Sequence, residues 1–244
     1  MKQLSIRLIE FLIAKGFKLP ISFSELVKGF YKRILYKQML ESLKINCVID
    51  AGANNGGFAK NLRFLGYSGY ILSFEPDPSV YAELQSYFAS DSRWKGYNIA
   101  LGSTNDLLVL NINEFSVMNS FLANNKSTSA TLKTINVEVK TLDSLSNEIL
   151  ELNTDSRIFL KMDTQGYDLE VMKGCEKLRD KILLLQSEIS VQPLYENIPH
   201  YIKSLQFYES LDFQLFDLFS VTRNDRGVVE YDAIMINTSN QNNY

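Results

Sequence analysis

Three acidic residues follow apolar runs at separate places in the chain. Asp50 comes after "CVI", Glu75 after "ILSF" and Asp163 after "FLKM". Short apolar runs bounded by turn signals predict buried strands. Ligands of open parallel sheets bind beyond the carboxyl ends of the strands. The three carboxylates therefore predict a ligand crevice whose walls can accept hydrogen bonds and take up a proton.

The loop after the first acid, "AGANNGG", contains Gly52, Gly56 and Gly57. Glycine lets the backbone approach a ligand closely, because it has no side chain. The helix that follows presents unsatisfied N–H groups and the positive end of its dipole. Such an end can hold a carboxylate as readily as a phosphate.

The spacing of these glycines separates two kinds of nucleotide cofactor. They follow G-x-x-x-G-G, whereas the dinucleotide fingerprint is G-x-G-x-x-G. A pyrophosphate in this turn would also meet the negative charge of Asp50. Glu75, one βα unit later, lies where an acid accepts hydrogen bonds from ribose hydroxyls. An aminoacyl nucleoside with an ammonium and a sulfonium tolerates Asp50, and we therefore predict S-adenosylmethionine. An NAD(P)-dependent oxidoreductase on a doubly wound fold and a non-catalytic binding protein are the alternatives.

Apolar runs alternate with helix-like stretches from Cys47 onward. This alternation predicts an α/β fold, with a mostly parallel sheet covered by helices on both faces. The sequence of residues 103–140 departs from this alternation. It predicts antiparallel strands around a polar loop. We place an N-terminal helical extension at 1–44, the main domain at 45–238 and a polar tail at 239–244.

Composition limits the partners and the compartment. The chain has 244 residues and a formal net charge of −3, which argues against a nucleic-acid partner. Its two cysteines, Cys47 and Cys175, have no metal-like or disulfide-like spacing, which favours a reducing, cytoplasmic location. His200 is the only histidine. It has no acidic neighbour in sequence to orient it, and we interpret it as a surface or structural residue rather than a catalytic base.

The N-terminal segment is apolar but interrupted by charges. Arg7, Glu10 and Lys15 divide its apolar runs, so no membrane span is predicted. Its apolar residues recur at helical spacing, which predicts an amphipathic helix. The N-terminal helices could pair two copies of the chain in a homodimer.

Several blocks of the sequence together resemble a known family. They are "VIDAGANNGGF", "SFEPDP", "NIALG", "VKTLDSL", "LKMDTQGYDLEVMKGC" and "LLLQSEISVQPLYE". In this order they resemble the FkbM family of S-adenosylmethionine-dependent methyltransferases over roughly 48–236. The resemblance implies a class I methyltransferase fold, with a Rossmann-like seven-stranded sheet and a reversed last hairpin. It also implies O-methylation of a hydroxyl on a sugar, a glycoconjugate or another natural product.

The resemblance also implies which residues hold the cofactor. The glycine-rich motif begins at Asp50, the ribose acid falls on Glu75, and "NIAL" places Asn98 and Ala100 beside the adenine. The D-x-[EQ]-G block falls on Asp163, Gln165 and Gly166, and Asp168 stands where many members carry Glu. The predicted cofactor residues are Asp50, Gly52, Asn54, Gly56, Phe58, Glu75, Pro76, Asn98, Ala100 and Asp163.

Methyl transfer to an alkyl hydroxyl requires a base, and Asp163 is our candidate. Lys161, two residues earlier, points to the same side of the strand and could pair with Asp163 or stabilise an alkoxide. Glu188 ends the next strand and faces the same crevice. Asp163, Glu188 and Asp168 could alternatively hold Mg²⁺ through oxygen ligands, although no metal site is predicted from residue spacing.

Two loop segments, "SVMNSFL" and "VQPLYE", fall where the family's loops flank the acceptor. Their polar side chains suit a polyhydroxylated acceptor, although the same residues could simply form turns. The predicted acceptor-binding residues are Asn119, Ser120, Gln165, Gln192 and Tyr195.

Overall fold

The computed structural model describes residues 21–125, 130–153 and 155–239, with side chains from residue 27 onward. The chain divides into two compact units, with the boundary between Gln38 and Met39. The predicted amphipathic helix within residues 1–20 and the tail from 240 lie outside the described residues. The predicted domain bounds stay predictions.

Ten strands are described. In chain order they are β1 (Cys47–Ala51), β2 (Tyr70–Phe74), β3 (Trp94–Tyr97), β4 (Ala100–Leu101), β5 (Asp106–Asn113), β6 (Thr131–Lys140), β7 (Ile158–Met162), β8 (Ile182–Ser190), β9 (Phe213–Asn224) and β10 (Gly227–Asn237).

The described helices are α1 (Ile21–Ser42), α2 (Gly57–Phe64), α3 (Pro78–Phe88), α4 (Ser146–Leu152), α5 (Asp168–Lys173) and α6 (Tyr201–Glu209). Short 3₁₀ turns lie at Ser116–Met118, Leu142–Leu145 and Arg179–Lys181.

The main sheet has seven strands in the order β3-β2-β1-β7-β8-β10-β9. Its first five strands are parallel, and β10 runs antiparallel to both β8 and β9. Every residue of β1 and β7 is buried, because a parallel sheet is covered on both faces. The predicted α/β fold, with a seven-stranded mostly parallel sheet and a reversed last hairpin, is confirmed.

The register of the central strands brings the predicted acids together. Ala51, the last residue of β1, lies opposite Phe74 on one side and Met162 on the other. Glu75 and Asp163 directly follow those two partners, so both lie at the edge of the sheet where the first loop begins.

The stretch "YNIALG" does not form one strand. It divides between β3, in the main sheet, and β4, which pairs in parallel with β6. The Asn98 side chain donates to the carbonyl oxygens of Glu75 and Pro76 at 2.9 and 3.2 Å, and these bonds hold the connecting turn. The second sheet has the order β4-β6-β5, and its β5–β6 pair is antiparallel, as residues 103–140 predicted.

Candidate functional site

A cleft of about 320 Å³ lies at the carboxyl edge of the main sheet. This volume is at the lower end of the range typical for small-molecule sites. One end is lined by Gly52, Asn54, Glu75, Pro76 and Ala100. The other end, toward β10, is lined by Thr164, Gln165, Glu188, Thr222 and Glu230, and Asp163, which adjoins Gly52, lies between the two ends. The segment 116–119 and Phe121 also line the cleft.

The first loop approaches its neighbours so closely that glycine is required at its start. Gly52 has a φ of +72°, and a Cβ built there would lie 2.1 Å from the carbonyl oxygen of Asp163. Gly56 precedes α2 with a φ of +80°, where a Cβ would meet Leu84 and Phe88 at 2.7 and 2.9 Å. The glycines therefore let the loop pack against β7 and α3, in addition to any approach to a ligand.

Glu75 is held with its carboxylate at the cleft. The backbone N–H of Asn54 donates to Oε2 at 2.8 Å, and that of Asp77 donates to Oε1 at 2.9 Å. A carboxylate has about four acceptor positions, so Glu75 retains capacity for ligand hydroxyls. Its side chain is only 6% exposed, and this burial raises its pKa to about 7.

Asp50 lies behind the loop and is fully buried. Lys161 Nζ is 3.0 Å from Asp50 Oδ1 and 3.6 Å from Asp163 Oδ2, and it donates to the Gly52 carbonyl oxygen at 2.9 Å. Burial raises the pKa of Asp50, and Lys161 opposes this effect. Burial lowers the pKa of Lys161, but the carboxylates of Asp50 and Asp163 raise it above its ordinary value overall. Neither Asp50 nor Lys161 is among the described residues that line the cleft.

At the other end, the Gln165 side chain joins two acids. Its Nε2 donates to Asp163 Oδ1 at 3.0 Å and to Glu188 Oε2 at 2.8 Å. The hydroxyl of Tyr195 donates to Gln165 Oε1 at 2.7 Å, and the hydroxyl of Ser120 donates to the Gln165 carbonyl oxygen at 2.7 Å. Gln165 also has a φ of +52°, in the left-handed region. Its side chain and backbone are therefore both held in one orientation.

Glu230 is a cleft residue that the sequence analysis missed. It lies near the start of β10, opposite Ser190 of β8, and is 6% exposed. Burial, followed by the charges of Asp163 and Asp232, raises its pKa to about 7. Since β10 runs antiparallel to β8, its beginning lies at the carboxyl edge of the sheet. The family resemblance implied a reversed last hairpin, and this feature could have predicted that Glu230 lies at the carboxyl edge of the sheet.

Most of the predicted cofactor residues surround the first loop. Pro76 and Ala100 line the cleft, whereas Asn98 holds the turn after Glu75. The Phe58 ring packs edge-on against Phe159 at 5.6 Å and lies 5.7 Å from Lys161 Nζ. The direct cofactor contacts of Asn98 and Phe58 stay predictions.

The predicted acceptor residues occupy different environments. Asn119 lines the cleft, and its Nδ2 donates to Asp77 Oδ2 at 3.1 Å. Ser120 and Tyr195 are buried behind Gln165. Gln192 donates to the Val228 carbonyl oxygen at 2.9 Å, in the last hairpin. Contacts of Ser120, Tyr195 and Gln192 with an acceptor stay predictions, and the structure gives each of them a contact within the protein.

Asp168 has a different role from the metal ligand considered above. One oxygen accepts from the N–H and hydroxyl of Thr164, and the other accepts from the Ser187 hydroxyl and the Glu188 N–H. These four bonds occupy its acceptor positions. Among the residues that the structure describes, no group of three or more His, Cys, Asp or Glu side chains is placed to hold a metal ion. The Mg²⁺ alternative is therefore without support.

Two further predictions concern the surface. His200 is exposed and precedes α6, and it is not among the described residues that line the cleft. Across the described parts of the chain, no helix is both long and apolar enough to cross a membrane.

Several solved methyltransferase structures are similar to this chain at low sequence identity. Fibrillarin of Aeropyrum pernix, solved with S-adenosyl-L-methionine, is 10% identical with a TM-score of 0.46, over 78% of this chain and 66% of that one. An rRNA methylase of Streptococcus thermophilus is 12% identical with a TM-score of 0.47, over 83% and 94%. The magnesium protoporphyrin IX methyltransferase of Synechocystis PCC 6803, solved with the same cofactor, is 9% identical with a TM-score of 0.45, over 87% and 81%.

Comparison of the sequence with known families is more specific. No curated protein sequence matches the chain significantly. Residues 50–215 match the family described as the methyltransferase FkbM domain, and this range is well over half of the chain. It contains Asp50, Glu75, Asp163 and Glu188, with the loop and the strands that position them. The chain belongs to the FkbM family of S-adenosylmethionine-dependent methyltransferases.

Proposed function

We propose that this protein transfers a methyl group from S-adenosylmethionine to a hydroxyl oxygen of a sugar, a glycoconjugate or a related natural product. One observation carries the proposal. A single cleft joins the carboxylate of Glu75, oriented by two backbone N–H groups, to the linked side chains of Asp163, Gln165 and Glu188. The first group suits a ribose and the second suits a hydroxylated acceptor.

The loop end of the cleft has the donors and acceptors that the cofactor requires. Glu75 retains acceptor capacity for ribose hydroxyls, and the Gly52 backbone borders the same space. Lys161 neutralises Asp50 behind the loop, so the loop does not present an unpaired buried charge to the ligand. This arrangement fits an aminoacyl nucleoside.

Asp163 is the candidate base that accepts the proton of the acceptor hydroxyl. When bound, the cofactor would supply an electrophilic methyl group on its sulfonium, with the neutral thioether sulfur as the leaving group and the hydroxyl oxygen as the acceptor. Asp163 takes the hydroxyl proton. Gln165 fixes one of its oxygens, and the other is 3.6 Å from Lys161. A positioned base of this kind typically accelerates the reaction by about 10²–10⁴-fold.

Calorimetry on the purified protein tests the cofactor part. We expect micromolar binding of S-adenosylmethionine and S-adenosylhomocysteine, with no binding of NADH. Glu75→Ala should abolish both interactions, and Glu83→Ala, which changes an exposed acid on α3, should leave them unchanged. Absence of binding by the unaltered protein would favour a non-catalytic role.

The acceptor part is tested by methyl transfer from radiolabelled S-adenosylmethionine to sugars and glycoconjugates. Mass spectrometry of the product then locates the new methyl group. A product methylated on nitrogen or carbon would contradict the proposed O-methylation.

A further inference from the structure

Three acids lie in succession along the cleft, on neighbouring strands. Asp163 follows β7, Glu188 lies near the end of β8 and Glu230 near the start of β10. Adjacent strands are about 4.8 Å apart. Since β10 is three strands from β1, Glu230 lies about 14 Å across the sheet from the first loop. Glu230 is therefore beyond the part of the cleft that the cofactor loop borders.

Glu230 indicates a ligand site, because its carboxylate has no hydrogen-bond partner among the described residues. The residue is 6% exposed and lines the cleft, and no hydrogen bond to its carboxylate is found among the described residues; its oxygens are not fully buried, so they face the cleft. Buried carboxylates are almost always paired or hydrogen-bonded, since desolvating an unpaired charge is costly. A donor from outside the chain would complete this site.

The charges in the cleft indicate the sign of that donor. Glu188 and Glu230 form no ion pair with any Lys or Arg in the described residues, and Lys161, the cation nearest Asp163, is already paired with Asp50. The cofactor has a sulfonium, an ammonium and a carboxylate, and thus a net charge of about +1, so it offsets only one of the three acids. In their ionised forms the remaining two acids favour a second cation and disfavour a phosphorylated or carboxylated acceptor.

We propose that the acceptor is an amino alcohol, such as a sugar with a free amine, whose ammonium group is bound by Glu188 and Glu230. This inference rests on the proposed function. Asp163 follows β7, the neighbour of β8, and takes the proton from a hydroxyl of the same acceptor. The Thr222 and Val221 side chains form the adjoining wall of the cleft. They supply one hydroxyl and one apolar surface, and no positive charge.

The raised pKa values of these acids make cation binding at this site depend on pH. Burial, then Asp163 and Glu230, raise the pKa of Glu188, with Asp232 and Asp168 adding to the effect. The pKa of Glu230 is raised to about 7, first by burial and then by the charges of Asp163, Asp232 and Asp168. In the absence of a cation Glu230 is thus partly protonated near neutral pH, and an ammonium that displaces its proton should bind more tightly as pH rises through about 7.

Three sugars of similar size and different charge test the proposal. The full-length protein is saturated with S-adenosylhomocysteine, and binding of glucosamine, glucose and glucuronate is measured by saturation-transfer NMR at about pH 7. We expect glucosamine to bind about tenfold or more tighter than glucose, since charge-assisted hydrogen bonds are roughly twice as strong as neutral ones. Glucuronate should bind most weakly. Glu230→Gln should abolish the preference for glucosamine, and Glu209→Gln, on the exposed side of α6, should retain it.

The outcomes separate this inference from the proposed function. If S-adenosylhomocysteine does not bind, the proposed function fails and the amine site fails with it. If it binds, but glucosamine binds no more tightly than glucose or does not bind at all, the amine site is wrong and the methyltransferase proposal stands. Glu188→Gln is a second variant in case Glu230→Gln does not fold. Retention of the full preference in a folded variant of either acid would also overturn the proposal.

Discussion

Lys161 Nζ lies 3.0 Å from Asp50 Oδ1 and 3.6 Å from Asp163 Oδ2. One buried ammonium thus connects the strand that carries the cofactor loop to the residue that we propose as the base. Lys161 and Asp50 are opposite one another in the β1–β7 register, so their side chains lie on the same face of the sheet. Lys161 thus interacts with both Asp50 and Asp163 from a buried position that is not part of the cleft lining.

Replacing Lys161 with Met should destabilise the protein strongly. Asp50 would remain fully buried without a counter-charge, and breaking a buried ion pair typically costs about 3–5 kcal/mol. Urea unfolding measures the loss. Lys173→Met is the matched control, because Lys173 is 49% exposed and pairs with Glu170 at the surface, where a pair contributes less than about 1 kcal/mol. Equal losses in the two variants would contradict a structural role for the buried pair.

Glu75→Gln should change how stability depends on pH. The folded-state pKa of Glu75 is raised from 4.5 to about 7 by burial, so its protonated form favours folding. That contribution is present below pH 4.5 and is lost as pH rises to about 7. The free energy of unfolding of the variant relative to wild type should therefore rise by roughly 3 kcal/mol across this window. Urea unfolding without cofactor, at several pH values, checks it, and a difference that does not vary with pH would refute it.

Asp163→Asn should separate cofactor binding from turnover. The substitution preserves size and leaves Glu75 and the first loop unchanged, so the affinity for S-adenosylmethionine should stay within a few-fold. Turnover should fall by about 10²–10⁴-fold, because the acceptor hydroxyl loses its base. Calorimetry and a methyl-transfer assay measure the two effects, with Glu209→Gln as the exposed control. Near-normal turnover would rule out Asp163 as the base.

Tyr195→Phe should loosen the side chain of Gln165. The variant removes the hydroxyl that lies 2.7 Å from Gln165 Oε1 and 3.1 Å from the Met118 carbonyl oxygen. We expect a stability loss of about 1–2 kcal/mol. The pH–rate profile should also shift, because Gln165 no longer holds Asp163 and Glu188 in place. Tyr87→Phe, at a 62% exposed position, should do neither. An unchanged profile would limit Tyr195 to a packing role.

Gly52→Ala should disrupt the first loop far more than Gly66→Ala. Both glycines have positive φ, at +72° and +87°, but only at Gly52 would a Cβ collide with backbone, the Asp163 carbonyl oxygen at 2.1 Å. At Gly66 nothing lies within 4 Å. The left-handed conformation alone costs an alanine about 1–2 kcal/mol, so Gly66→Ala measures that part. Thermal unfolding and calorimetry should show a larger loss of stability and loss of cofactor binding only for Gly52→Ala. Similar effects of the two would show that the loop tolerates the collision.

The acids at the strand ends could be predicted because a few neighbouring residues in the sequence identify each of them. A short apolar run followed by Asp or Glu and then a turn identifies the end of a buried strand, as at Glu75 and Asp163. Parallel pairing then requires these ends to meet at one edge of the sheet. The FkbM motifs cover the same segments, so recognition of the family and the physical interpretation agreed on the loop end of the site.

Other features depended on contacts between distant segments. "YNIALG" divides between two sheets because β4 pairs with β6, about 40 residues later in the chain. Glu230 reaches the cleft only because β10 runs in the reverse direction. Tyr195 is fully buried behind Gln165, although its polar loop sequence suggested contact with an acceptor.

The sequence by itself determined the alternation of strands and helices, the position of the first loop and the acids that end β2 and β7, because apolar periodicity and glycine act over a few neighbouring residues. Only the tertiary structure decided that Lys161 neutralises Asp50, that Gln165 joins Asp163 to Glu188, and that Glu230 faces the cleft with no hydrogen-bond partner among the residues described. Those relationships arise from strand order and register, and long-range pairing in three dimensions sets both.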